Sequence, residues 1–198
     1  IRGNVLTKEH INALKLIAEE KECTIITTFD GLMNPMPSPE KFIQAVRKIS
    51  VGDILDMEEL TRHLAELGYE KNYQAGTQGE FSVRGGIIDI FPLTEENPFR
   101  IELWGDEVDS IRSFDAESQR SIENLEEVHI YPACELVLTE AERKAGIERI
   151  LEEADRVSEK LRKELKTEEA YRVKSAAEQL AEEAGELGIS AGLDAYLS

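Results

Sequence analysis

Between residues 69 and 114 the chain alternates apolar and polar positions, and the links joining the alternating segments are very short. Five segments read as strands: 69–74, 80–84, 87–91, 99–104 and 108–114. A sixth is predicted at 128–131. The links are "GTQG", a glycine pair, "PLTEENP" and "GDE". Parallel strands need a crossover of a dozen or more residues, so links of this length suit antiparallel neighbours. The helix ahead of them, in "SVGDILDMEELTRHLAELGYE", starts at Asp56 with Glu59 three residues on, a capping-box pattern. Leu60, Leu64 and Leu67 form its buried stripe and Gly68 its stop. Residues 50–131 are therefore predicted to form a compact α+β module with one mostly antiparallel sheet.

The flanks read differently. Residues 7–20 carry Ile11, Leu14 and Ala18 on one stripe, an amphipathic helix with Thr7 as its N-cap. "CTIITT" is a β-branched run that reads as a buried strand. "GLMNPMPSPE" reads as a loop, and Ser38-Pro39 as an N-cap with proline at the first helical position. The helix that follows, through Phe42, Ile43 and Val46, ends near Ile49. From Thr139 the chain reads as two helices, the second from about Glu168 to Leu187, rich in Glu, Lys, Arg and Ala. Ile147, Ile150, Ala154, Val157, Leu161 and Leu165 recur at spacings of three and four, without a sustained heptad, so a helical hairpin is favoured over a long coiled coil. The expected class is α/β in its α+β form: a mostly antiparallel module at 50–133, flanked by partial α/β segments at 1–49 and 134–198. Both ends of the sequence look cut, so an excerpt of a longer chain is expected.

Charge narrows the functions open to this chain. The formal net charge is -18, and residues 50–131 hold six basic against 19 acidic residues. A field of that sign repels phosphate backbones and steers basic surfaces towards it. Cys23 and Cys134 are far apart and form no C-x-x-C, which favours two reduced thiols. No apolar run approaches a membrane span, and no signal pattern opens the chain, so a cytoplasmic protein without membrane contact is expected. No phosphate-binding loop and no nucleophile elbow occurs. His10, His63 and His129 lack metal-ligand spacing, and "GDEVD" reads as a hairpin turn with solvated charges. Neither a catalytic residue nor a cofactor is expected.

One strand face is out of keeping with the rest. In "FRIELWG", Phe99, Ile101 and Leu103 point one way, while Arg100, Glu102 and the chain's single tryptophan, Trp104, point the other. In "GEFSVRG", Phe81 and Val83 face the core and Ser82 and Arg84 face outward. Alternation leaves two readings. Trp104 covers the rim of the core under a flanking helix and Arg100–Glu102 is an ordinary exposed pair, or Arg84, Arg100 and Trp104 form a binding patch of the kind Trp and Arg dominate. The glycine pair at 85–86 reads as a bend or bulge within a hairpin.

The same residues carry a resemblance. "GEFSVRGGIIDIFP", "RIELWGDEVDSIRSFD" and "QRS" occur in order, and residues 50–133 resemble the interaction domain shared by the excision-repair protein UvrB and the transcription-repair coupling factor Mfd. "SIRSFDAESQRS" resembles the coupling factors more than UvrB, where "DPLTG" is usual. "TIITTFDGLMNPMPSPEKF" resembles the end of the first segment of the coupling factor's UvrB-like first domain, and the helices after 135 the start of its return segment. The resemblance implies a non-catalytic module that binds UvrA, the damage-recognition ATPase. It places the contacts on Arg84, Arg100 and Trp104, with Glu102 and Ser82 as neighbours. Trp104 stands where phenylalanine is common. Gly85 and Gly86 would bend the strand and let another backbone come close. It also implies a masking domain elsewhere in the parent chain. RNA polymerase and DNA would be engaged by other parts of that parent, an ATP-dependent translocase. The other functions weighed are a UvrB-like DNA-damage-binding element and a structural spacer.

Overall fold

The computed structural model describes residues 3–33, 37–135, 138 and 140–186. It divides into two units, Ile1–Val137 and Leu138–Ser198. The first opens with α1 (Gly3–Ala18), α2 (Phe29–Met33), α3 (Pro39–Ala45), β1 (Arg47–Ser50) and α4 (Met57–Glu66). Seven strands follow: β2 (Glu70–Lys71), β3 (Glu80–Arg84), β4 (Ile87–Phe91), β5 (Phe99–Trp104), β6 (Glu107–Phe114), β7 (Ser121–Leu125) and β8 (Glu127–Ile130). The second unit holds α5 (Glu140–Lys163) and α6 (Thr167–Glu186). The class is α+β, as expected.

β2 to β7 form one six-stranded sheet in chain order, antiparallel except for the parallel β2–β3 pair. Its inner face buries Phe81, Ile88, Ile90, Phe99, Ile101, Val108 and Ile111 against Leu60, Leu64 and Leu67 from α4 and its end. Each such side chain contributes about 1.5–3 kcal/mol of burial. The helix stands as its sequence demands. Asp56 caps it by accepting from the amides of Glu58 and Glu59. At the other end Gly68, at φ +87°, lets the Gly68 amide reach Ala65 O and the Tyr69 amide reach Leu64 O, a Schellman closure. A smaller cluster of Ile11, Leu14, Phe42, Leu93 and Tyr131 joins α1 and α3 to the module.

Several expectations need correction. The run at 23–28 is not a buried strand: it is irregular and exposed, with Ile26 93% accessible. A β-branched run becomes a strand only with a neighbour to hydrogen-bond, and no described strand pairs with it. The helix expected to reach Ile49 stops at Ala45, and Arg47–Ser50 pairs antiparallel with β8 in a separate two-stranded sheet. β8 runs from Glu127 to Ile130 rather than 128–131 and, paired with β1, lies outside the main sheet. Thr7 is inside α1 and caps nothing, and the first residues of the loop expected at 31–40 belong to α2. The first candidate strand shrinks to two residues and pairs parallel with β3, not antiparallel as the short link suggested. The Glu80 carboxylate accepts from the Asn72 side chain and the amides of Gly76 and Thr77, which folds 72–77 into a loop. β7 was not anticipated, because a bulge at Ile122 breaks its alternation. Thr139, Leu187 and residues 34–36 of the expected loop lie outside the described residues.

α5 and α6 lie against one another, with Ala154, Ser158, Ala170 and Ala177 buried. Leu165, expected on the apolar stripe, is 90% exposed in the turn between them. Cys23 and Cys134 form no disulfide. Among the described residues no helix is long and apolar enough to cross a membrane.

Candidate interaction face

The outer face of the six-stranded sheet is built by register. Ser82, Asp89, Arg100, Arg112 and Asn124 stand opposite one another across β3 to β7. One row further, Arg84, Ile87, Glu102 and Ser110 line up in the same way. Trp104 stands at the end of β5, opposite Glu107. A register shift after Glu102 leaves Asp109 as the extra residue on β6, so β5 keeps its alternation unbroken to Trp104. Arg84, Arg100, Glu102 and Trp104 therefore share one face. Three of the six basic residues of 50–131 gather here.

The two glycines set the near edge of this face. They form the two-residue turn of the β3–β4 hairpin, the bend rather than the bulge of the sequence reading. Gly85 takes φ +61°, which a side-chain-bearing residue adopts at a cost. A Cβ on Gly86 would sit 3.0 Å from the carbonyl oxygen of Leu103, whose amide donates to Gly86 O at 2.8 Å. The backbone that comes close is therefore this chain's own β5, one residue from Trp104.

Exposure is graded across the face. Trp104 is 83% exposed, more than a side chain covering the rim of the core would be. The side chain of Arg84 is 43% exposed and that of Arg100 only 13%. Ser82, expected to face outward beside Arg84, lies on that face by register but is buried, its Oγ without a partner among the described residues. Glu102 pairs with Arg112 and accepts from Ser110 Oγ at 3.3 Å, so it is already engaged.

Sequence reasoning missed Asp89. It is 1% exposed and sits between the two arginines. Arg100 donates Nε to Oδ1 at 2.6 Å and Nη2 to Oδ2 at 2.8 Å, and Arg84 donates Nη2 to Oδ2 at 2.8 Å. The bonds to Asp89 raise the pKa of the Arg100 guanidinium and hold it charged. Arg100 also donates to Gln119 Oε1 at 2.9 Å, and its guanidinium carbon lies 4.4 Å from the centroid of the Phe114 ring. The signal was present in "IIDIF", a lone carboxylate inside an apolar strand. Buried carboxylates are paired, and the strands on either side carry arginines.

Such a face offers a flat aromatic surface beside fixed guanidinium donors, suited to an apolar pocket flanked by acceptor groups. Among the described residues no group of His, Cys, Asp and Glu could hold a metal ion.

Residues 48–136 match the family model described as the UvrB interaction domain. Over 145 residues, 73% of this chain, it is 38% identical to a transcription-repair-coupling factor of Bacillus subtilis (strain 168). Identity is 42% over 135 residues to the transcription-repair-coupling factor of Staphylococcus aureus (strain bovine RF122 / ET3-1). To UvrABC system protein B of Thermosipho africanus (strain TCF52B) it is 33% over 194 residues, 98% of this chain. The chain spans 12% of the length of those coupling factors and 29% of that protein B. Residues 48–136 are thus a member of the UvrB interaction domain family, in a chain similar both to coupling factors and to UvrB.

Proposed function

We propose that this UvrB interaction domain is a non-catalytic adaptor that binds UvrA through the outer face of its sheet. Trp104 and Arg84 make the direct contacts, Arg100 stands behind Arg84, and Glu102 lies alongside. Within a coupling factor the module recruits UvrA to stalled RNA polymerase in transcription-coupled excision repair, in the cytoplasm. Other parts of the parent engage polymerase and DNA, and a domain of the same parent masks this face until it is needed. Residues 1–49 and 134–198 then belong to the UvrB-like first domain into which residues 50–133 are inserted. The observation that carries the reading is an almost fully exposed tryptophan on a strand whose inner residues build the core of a domain matching this family. An exposed tryptophan beside an arginine is the composition of a binding hot spot.

The alignment with UvrABC system protein B over 98% of the chain favours a second reading, in which these residues form part of a UvrB-like damage-binding protein. The acidic balance of the module weighs against direct DNA contact here. Calorimetry of the chain with purified UvrA, wild type beside Trp104→Ala and Arg84→Ala, tests the adaptor. A loss of ~2 kcal/mol or more for Trp104→Ala, roughly 30-fold, places the contact on this face. Equal affinity for all three moves it elsewhere. Salt-sensitive binding of DNA without UvrA binding would favour the second reading.

A further inference from the structure

Asp89 is buried at the centre of the sheet and cannot itself touch a partner, yet both arginines of the proposed surface converge on it. Its two oxygens take three bonds: two from Arg100, in the parallel two-point arrangement that fixes a guanidinium plane, and one from Arg84. Arg100 is held further by Gln119 and by the ring of Phe114. Arg84 is held at one nitrogen alone, and its remaining N–H donors have no partner among the described residues. Without the carboxylate, the two guanidinium groups would repel one another across a half-buried surface.

We propose that Asp89 is a positioning residue for UvrA docking. It binds Arg100 as a rigid backing and holds the partly exposed Arg84 in one orientation, with its free donors turned outward. This rests on the reading of the outer face as the UvrA surface. A donor fixed before binding loses less rotamer freedom on docking, so Asp89 raises affinity through Arg84 without making a contact of its own.

Asp89→Asn tests it. The amide keeps the shape but turns one acceptor into a donor facing a guanidinium. UvrA affinity of the intact chain, by calorimetry, is expected to fall at least tenfold. The double variant Arg84→Ala/Asp89→Asn is expected to bind no more weakly than Arg84→Ala alone. Nitrogen-detected spectra of the free chain supply a reading independent of UvrA. In the wild type the Nη groups of Arg84 and Arg100 should show restrained rotation, and in Asp89→Asn that restraint should be lost. Wild-type UvrA binding with an unaffected Asp89→Asn, or full additivity in the double variant, would overturn the positioning role and leave the adaptor standing. No binding by the wild type would overturn the adaptor and the docking role together. If Asp89→Asn does not fold, the wild-type spectrum decides: freely rotating Arg84 Nη groups overturn the proposal.

Discussion

Arg84 and Arg100 look alike in the sequence, each outward on a strand, and the fold gives them different work. Arg100 is a strut: 13% exposed, bonded twice to a buried carboxylate and once to Gln119. Arg84 holds the same carboxylate by one bond from a half-open position. Removing Arg100 leaves the buried carboxylate with the single bond from Arg84, so Arg100→Ala should lower stability by about 3 kcal/mol. Arg84→Ala should cost less than ~1 kcal/mol. Urea denaturation of the two variants beside wild type measures the difference. Equal losses would mean that Arg84 and Arg100 share the carboxylate evenly. The shared face of Arg84, Arg100 and Trp104 was legible because alternation is a local consequence of backbone geometry. The burial of Ser82 and Asp89 was not, because burial depends on what lies over a strand.

Among the elements, β3, β4 and β5 were readable to the residue. Tight turns and an alternating apolar face leave one register, since a slip by one residue would turn Phe81, Ile88 and Ile101 out to solvent. β7 escaped notice because its bulge hides the period, and 23–28 misled because its composition says nothing of a pairing partner. The turn between β6 and β7 adds a pH dependence. The Asp115 carboxylate accepts from Ser118 Oγ at 2.6 Å and from its amide at 2.7 Å, and these bonds hold its pKa below the ordinary value. A carboxylate lowered in this way stabilises the turn fully above its unfolded value of ~3.9. The contribution is lost as pH falls through the lower folded value. The same turn carries Gln119, at φ +61°, which holds Arg100. Exchange protection of the Ser118 amide should therefore fall away in acid below that range, and Asp115→Asn should abolish the dependence. Protection unchanged down to the lowest pH at which the chain stays folded would show that the carboxylate does not hold the turn.

Across the whole molecule the charge of -18 sets the response to salt. Like charges repel within the folded state, and raising NaCl from about 20 to about 200 mM shortens the screening length from roughly 20 to roughly 7 Å. The thermal midpoint should rise over that interval, by circular dichroism. A fall would mean that attractive pairs such as Lys48–Glu127 and Lys174–Asp155 outweigh the net repulsion. The sequence by itself determined the α+β class, the antiparallel hairpins, the capped helix from Asp56 to Gly68 and the outward side of β5. Each follows from contacts between residues near in sequence. Only the tertiary structure decided that β1 meets β8 some eighty residues on, that Trp104 is exposed, and that Asp89 binds two arginines from neighbouring strands. Those outcomes depend on which distant segments share a surface and how far water is kept from it, and a local pattern holds neither.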